Sequence, residues 1–142
     1  MINSIKKWFE TAIPEPTIEQ ACIQVGVDAE ECAELFQAFG DYDISERIDE
    51  IANKYKSCTP AYCGWVATLN EYQKTQVLDA LCDKIVTAIG VAHMLGMDIE
   101  SALSEVNDSN YSKFEDNKPV FNKQGKISKG KYYKPPQLDK FI

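Results

Sequence analysis

The sequence predicts an all-α fold, and three observations carry that expectation. Apolar residues recur at the 3.6-residue period of a helix from residue 2 to residue 112. No stretch before residue 112 alternates apolar and polar residues as a strand does. Helix start and stop signals punctuate the chain: Thr17-Ile-Glu-Gln20, Thr59-Pro60 and Asp98 open helices, and Gly40 and Gly96 close them. The expected architecture is a helical bundle with a four-helix core over residues 1–112, followed by an irregular basic tail over 113–142 of the same domain. A chain of 142 residues is long enough for one sizeable core.

Taken in order, Ile2, Ile5, Trp8, Phe9 and Ala12 form the apolar side of a short helix ended by Pro14 and Pro16. Trp8 and Phe9 are core residues or a stacking surface for a base. The capping box at Thr17 starts a long helix that reaches Gly40, with Gly26 as its weak point. Asp41-Tyr-Asp-Ile-Ser45 resembles a calcium loop but lacks its glycine and closing glutamate, since Glu46 and Ala52 stand there. Asp43 or Ser45 instead caps a helix bearing Ile44, Ile48, Ile51 and Tyr55 on one face. Thr59-Pro60 starts the next, with Trp65 and Leu69 inward. Helical pattern resumes at Tyr72 and ends at Leu95-Gly96, and Asp98 caps a last helix over 99–112 with Ile99, Leu103 and Val106 inward. The tail contains a small hairpin around Gln124-Gly125 and an extended Pro135-Pro136.

Composition narrows the class. The net charge of −7 divides unevenly: residues 113–142 carry eight Lys against three acids, and residues 1–112 carry seven basic against nineteen acidic residues. An acidic body disfavours nucleic acid, so none is expected as a partner. No apolar run reaches the length of a membrane span and the N-terminus lacks a signal-peptide core, so a cytoplasmic protein is expected, in the host cytoplasm if phage-encoded. Five cysteines without a C-x-x-C pair read as buried free thiols. No zinc site is expected, because His93 is the only histidine and no ligand spacing is present. His93 reads as a packed or partly exposed helix residue.

Two acidic clusters carry the chemistry. Glu30, Glu31 and Glu34 crowd one region of a helix, where like charges cost about 0.2–0.5 kcal/mol per pair. Between Lys7 and Arg47 no basic residue offsets them. Asp79 and Asp83 stand at i and i+4 within the apolar run Val77–Val91, where a buried carboxylate needs a partner or a metal. Carboxylates on two helices suit a bundle with a metal site in its core.

The pattern Glu30-Glu31-x-x-Glu34 with a later acidic pair ending in Asp83 resembles the MazG-like all-α nucleotide pyrophosphohydrolases. Glu105-Val-Asn-Asp-Ser-Asn-Tyr-Ser-Lys113 and Lys129-Gly-Lys-Tyr-Tyr-Lys-Pro-Pro136 are similar to motifs of their phosphoribosyl-ATP-pyrophosphohydrolase-like branch. The resemblance covers roughly residues 28–39 and 77–138. One position departs: the usual acid three residues before Asp83 is Ala80, and Asp79 stands one residue earlier.

The resemblance implies a hydrolase that cleaves a (d)NTP or phosphoribosyl-ATP-like nucleotide between the α and β phosphates. It implies Mg²⁺, or Mn²⁺ in its place, held by Glu31, Glu34 and Asp83, with Asp79 as the fourth ligand. Glu30 orients or deprotonates water, or joins the ligands. Asn107, Asn110 and Lys113 recur at three-residue spacing and, with Lys129 or Tyr133, face phosphate, sugar or base. A homodimer or homotetramer is expected. The alternative is a non-catalytic helical module that keeps the fold and binds a nucleotide or a protein.

Overall fold

The computed structural model describes residues 1–123 and 127–142. Among them the chain is all-α: α1 (Ile2–Ala12), α2 (Ile18–Ala38), α3 (Tyr42–Lys56), α4 (Pro60–Ala67), α5 (Glu71–Met94), α6 (Ile99–Tyr111) and a short 3-10 helix, Asp139–Phe141. It divides into two compact units, Pro16–Val77 and Met1–Glu15 with Leu78–Ile142, so the tail belongs with α1 and α6. The division falls inside α5. Among the described residues no single helix is long and apolar enough to cross a membrane.

In the unit 16–77, local signals set the helix ends. Thr17 Oγ1 accepts the Gln20 N–H at 3.2 Å and Gln20 Oε1 accepts the Thr17 N–H at 2.9 Å, closing the expected capping box. Asp41, rather than Asp43 or Ser45, caps α3, its Oδ1 accepting the Ile44 N–H at 3.2 Å. Gly40 makes this possible by turning the chain in the left-handed region (φ +86°). α3 then runs back along α2. Gly26 does not interrupt α2, because the position is buried under α3: a Cβ there would meet Ala52 O at 2.7 Å and Lys56 N at 2.9 Å. The covered face of α3 runs through Ile48, Ala52 and Tyr55, not through Ile44 and Ile51, which are exposed. A buried Ala permits the close approach that a larger residue on that line would prevent. Pro60 begins α4 at its first turn, but the Thr59 side chain makes no capping bond. Trp65, expected inward, is 58% exposed and packs edge-on against Tyr62.

In the other unit, α1 lies against α6. Trp8 and Ala12 are buried, and Trp8 stacks on Phe114 with ring centroids 5.6 Å apart. Trp8 Nε1 donates to Asn110 O at 2.9 Å and Tyr111 Oη to Ser4 O at 3.0 Å, so each ring buries its body and satisfies its polar tip. Trp8 is therefore a core residue rather than a base platform. Asp98 caps α6 as expected, accepting the Ser101 N–H at 3.1 Å. Phe121 and Ile127 form an isolated antiparallel bridge; the expected turn at Gln124-Gly125 lies outside the described residues.

The apolar run on α5 departs from expectation. Leu78, Leu81, Ile85, Val86, Ile89 and Val91 are all exposed in the single chain, although the run was expected to be buried. Among the described residues neither α1 nor α6 packs along α5. A contiguous exposed apolar face of this extent is the kind of surface that marks an interaction site.

Candidate functional site

One carboxylate of the acidic cluster on α2 is paired with a cation from α3. Glu31 and Glu34 are exposed, at i and i+3 on the helix. Glu30 is half-buried, and its Oε1 accepts from Lys56 Nζ at 2.6 Å. The stem of Lys56 crosses α2 where Gly26 has no side chain, and the ammonium reaches Glu30 one turn further along. The basic residue missing from the local sequence is thus supplied by α3. Such a cation orients the carboxylate and competes with any metal for it.

On α5, Asp79 and Asp83 are both exposed, so the carboxylates are not buried as expected. They keep the i, i+4 relation that puts them on one side of the helix. Both acidic sets are carboxylates without nitrogen or sulfur, the hard oxygen donors that suit Mg²⁺. Glu30, Glu31 and Glu34 belong to one unit; Asp79 and Asp83 belong to the other.

The expected substrate residues fall at the end of α6, where the tail folds back. Gly130 N–H donates to Lys113 O at 3.2 Å, Lys134 N–H to Ser112 Oγ at 2.8 Å and Ser109 Oγ to Lys134 O at 2.7 Å. Gly130 is required there, since a Cβ would stand 2.6 Å from Lys113 O. This docking brings residues 129–134 beside Asn110 and Lys113. Lys113 Nζ donates to Asn110 Oδ1 at 2.7 Å, and Lys129 Nζ lies over the Tyr133 ring, 4.8 Å from its centroid. Asn107 differs from its neighbours: it is buried, and its Nδ2 donates to Ser4 Oγ at 2.9 Å, which ties α6 to α1. Glu105 holds the end of the tail, accepting from Gln137 N–H at 3.2 Å and Lys140 Nζ at 3.1 Å. The Lys140 ammonium, then the Gln137 N–H, hold the Glu105 carboxyl below its ordinary range.

A cluster that the sequence did not announce lies in the unit 16–77. Cys22 on α2, Cys58 between α3 and α4, and Cys63 on α4 place their sulfurs within 4.8 Å of one another. Cys22 is buried, and Cys58 and Cys63 are half-buried, whereas Cys82 is exposed. Burial first, then hydrogen bonding with Cys63, pushes the Cys22 thiol up to about 12, and the same causes raise Cys58. Cys58 stands in the left-handed region (φ +50°), where a side chain costs roughly 1–2 kcal/mol. Glycine is the usual occupant just past a helix C-cap.

No family model, curated protein or solved structure matches the chain.

Proposed function

We propose that the chain is a Mg²⁺-dependent nucleotide pyrophosphohydrolase, splitting a (d)NTP or phosphoribosyl-ATP-like nucleotide between its α and β phosphates to give the monophosphate and pyrophosphate. The observation that carries this reading is the docking of the basic tail on α6, which puts Lys129 and Tyr133 beside Asn110 and Lys113. Ammonium groups, a carboxamide and an aromatic face are what a phosphorylated nucleoside requires. The motif likeness over 105–113 and 129–136 supports the same assignment.

In this reading Lys113 and Lys129 hold phosphate, while Asn110 and Tyr133 meet sugar or base. Asn107 supports that surface through Ser4. The carboxylates that the motif likeness offers to Mg²⁺ or Mn²⁺ are Glu31, Glu34, Asp79 and Asp83. A bound ion would supply neutralisation of phosphate charge and a more acidic water. Glu30, aimed by Lys56, orients that water or takes its proton. The exposed apolar face of α5 supports a homodimer or homotetramer, and the expected compartment is the cytoplasm.

Two observations favour a second reading, a non-catalytic module that binds nucleotide or protein: Ala80 replaces the usual acid, and Lys56 engages Glu30. Incubation with Mg²⁺ and a nucleotide panel separates the two. Monophosphate and pyrophosphate in equal amounts support the enzyme. Nucleotide binding without turnover supports the module.

A further inference from the structure

We infer that Cys22, Cys58 and Cys63 form a three-thiolate site for one divalent thiophilic cation of the Zn²⁺ class, separate from the Mg²⁺ carboxylates. Their sulfurs already lie within 4.8 Å of one another. A zinc–thiolate bond is ~2.3 Å, so three sulfurs sharing an ion stand ~3.8–4.0 Å apart. Side-chain rotation of under ~1 Å per sulfur closes that difference. The ligands come from α2, the α3–α4 junction and α4, all within the unit 16–77, so the ion would staple that unit internally.

Two further observations point to a ligand rather than to packed thiols. Cys58 occupies a left-handed position at the end of α3, where glycine would relieve the backbone. A side chain kept there against that cost has a use for its sulfur. The adjacent N-terminus of α4 is also left without a side-chain cap by Thr59. Cys58 directly precedes that cap and Cys63 sits on the following turn.

Charge selects the ion. Three thiolates with a divalent cation leave a net charge of −1, and with a monovalent cation −2; the buried Cys22 disfavours the larger residual charge. A soft thiolate set excludes Mg²⁺ and leaves a fourth position for water.

The test uses the full chain, reduced under argon and stripped with EDTA, titrated with Cd²⁺ and then challenged with Zn²⁺. The account expects the ultraviolet thiolate-to-cadmium band to saturate at one ion per chain, Zn²⁺ to displace Cd²⁺, and Mg²⁺ in large excess to do nothing. The band should vanish in Cys58→Gly and Cys63→Ser and persist in the Cys32→Ser/Cys82→Ser double variant. Cys58→Gly relieves the backbone, so its far-ultraviolet circular dichroism should match that of the parent chain. A parent chain that binds no Cd²⁺ stoichiometrically overturns the assignment. So does a band that survives both Cys58→Gly and Cys63→Ser.

Discussion

Gly26→Ala tests how the two long helices of the unit 16–77 meet. On an exposed helix face, replacing Gly by Ala gains about 1 kcal/mol of helix propensity. At this position the new Cβ would stand 2.7 Å from Ala52 O and 2.9 Å from Lys56 N. Both are backbone atoms of α3 and cannot rotate away, so α3 must shift. Overpacking of this kind costs about 1–3 kcal/mol, and the displacement also strains the 2.6 Å Lys56–Glu30 pair, worth up to about 1 kcal/mol. The balance is a net loss of about 1–2 kcal/mol, a fall in Tm of roughly 3–8 °C for a chain of this size. Thermal and urea unfolding followed by circular dichroism measure it, with Gly90→Ala as the control, since nothing lies within 4 Å of a Cβ at that site. A Gly26 variant more stable than the parent would refute the close approach of α2 and α3.

Gly130→Ala places a Cβ 2.6 Å from Lys113 O, so the tail should detach from α6; limited proteolysis should cut it faster, and the KM for nucleotide should rise more than kcat falls. Lys56→Met keeps the stem across Gly26 but removes the charge beside Glu30, and should cost about 1 kcal/mol at low salt and less at high salt, read by urea unfolding. Hydrogen bonds from the Ser101 side chain and N–H hold the Asp98 carboxyl below its ordinary 3.8, so its stabilisation is complete above 3.8 and is lost as pH falls through the lower folded value. Asp98→Asn should flatten that acid limb, as measured by thermal unfolding across the acid range.

Helix ends were legible because they are local: Thr17 with Gln20, Pro60 and Asp98 act through neighbours within one turn. Faces were less legible. The α3 face runs through a small residue, Ala52, which carries little hydrophobic signal, and the strongly apolar run of α5 is exposed in the single chain. Periodicity reports that a face is apolar, not what covers it. The candidate site divides the same way. The acidic clusters on α2 and α5 could be seen as i, i+3 and i, i+4 patterns, but Lys56 reaches Glu30 from 26 residues away. The tail docks through Gly130, the Lys113 carbonyl and the Ser109 and Ser112 hydroxyls, neutral groups that leave no charge pattern, and the Lys140–Glu105 pair that holds its end joins residues 35 positions apart. The thiol cluster joins Cys22 to Cys58 and Cys63 across two helix connections, so no spacing rule for metal ligands applied.

Asp83→Asn separates Mg²⁺-dependent hydrolysis at the acidic clusters from a structural role for their carboxylates. Asp83 is exposed and lies one turn from Asp79, so the neutral amide relieves like-charge repulsion of about 0.2–0.5 kcal/mol and should leave the metal-free fold equally or slightly more stable. Pyrophosphate release and Mg²⁺-dependent thermal shift are measured together on parent and variant. The account predicts a parent chain that hydrolyses nucleotide and melts higher with Mg²⁺, and a variant that folds but has lost nearly all turnover and most of the metal response. A variant that unfolds without metal yet keeps its Mg²⁺ response, or one that hydrolyses nucleotide at the parent rate, would contradict it.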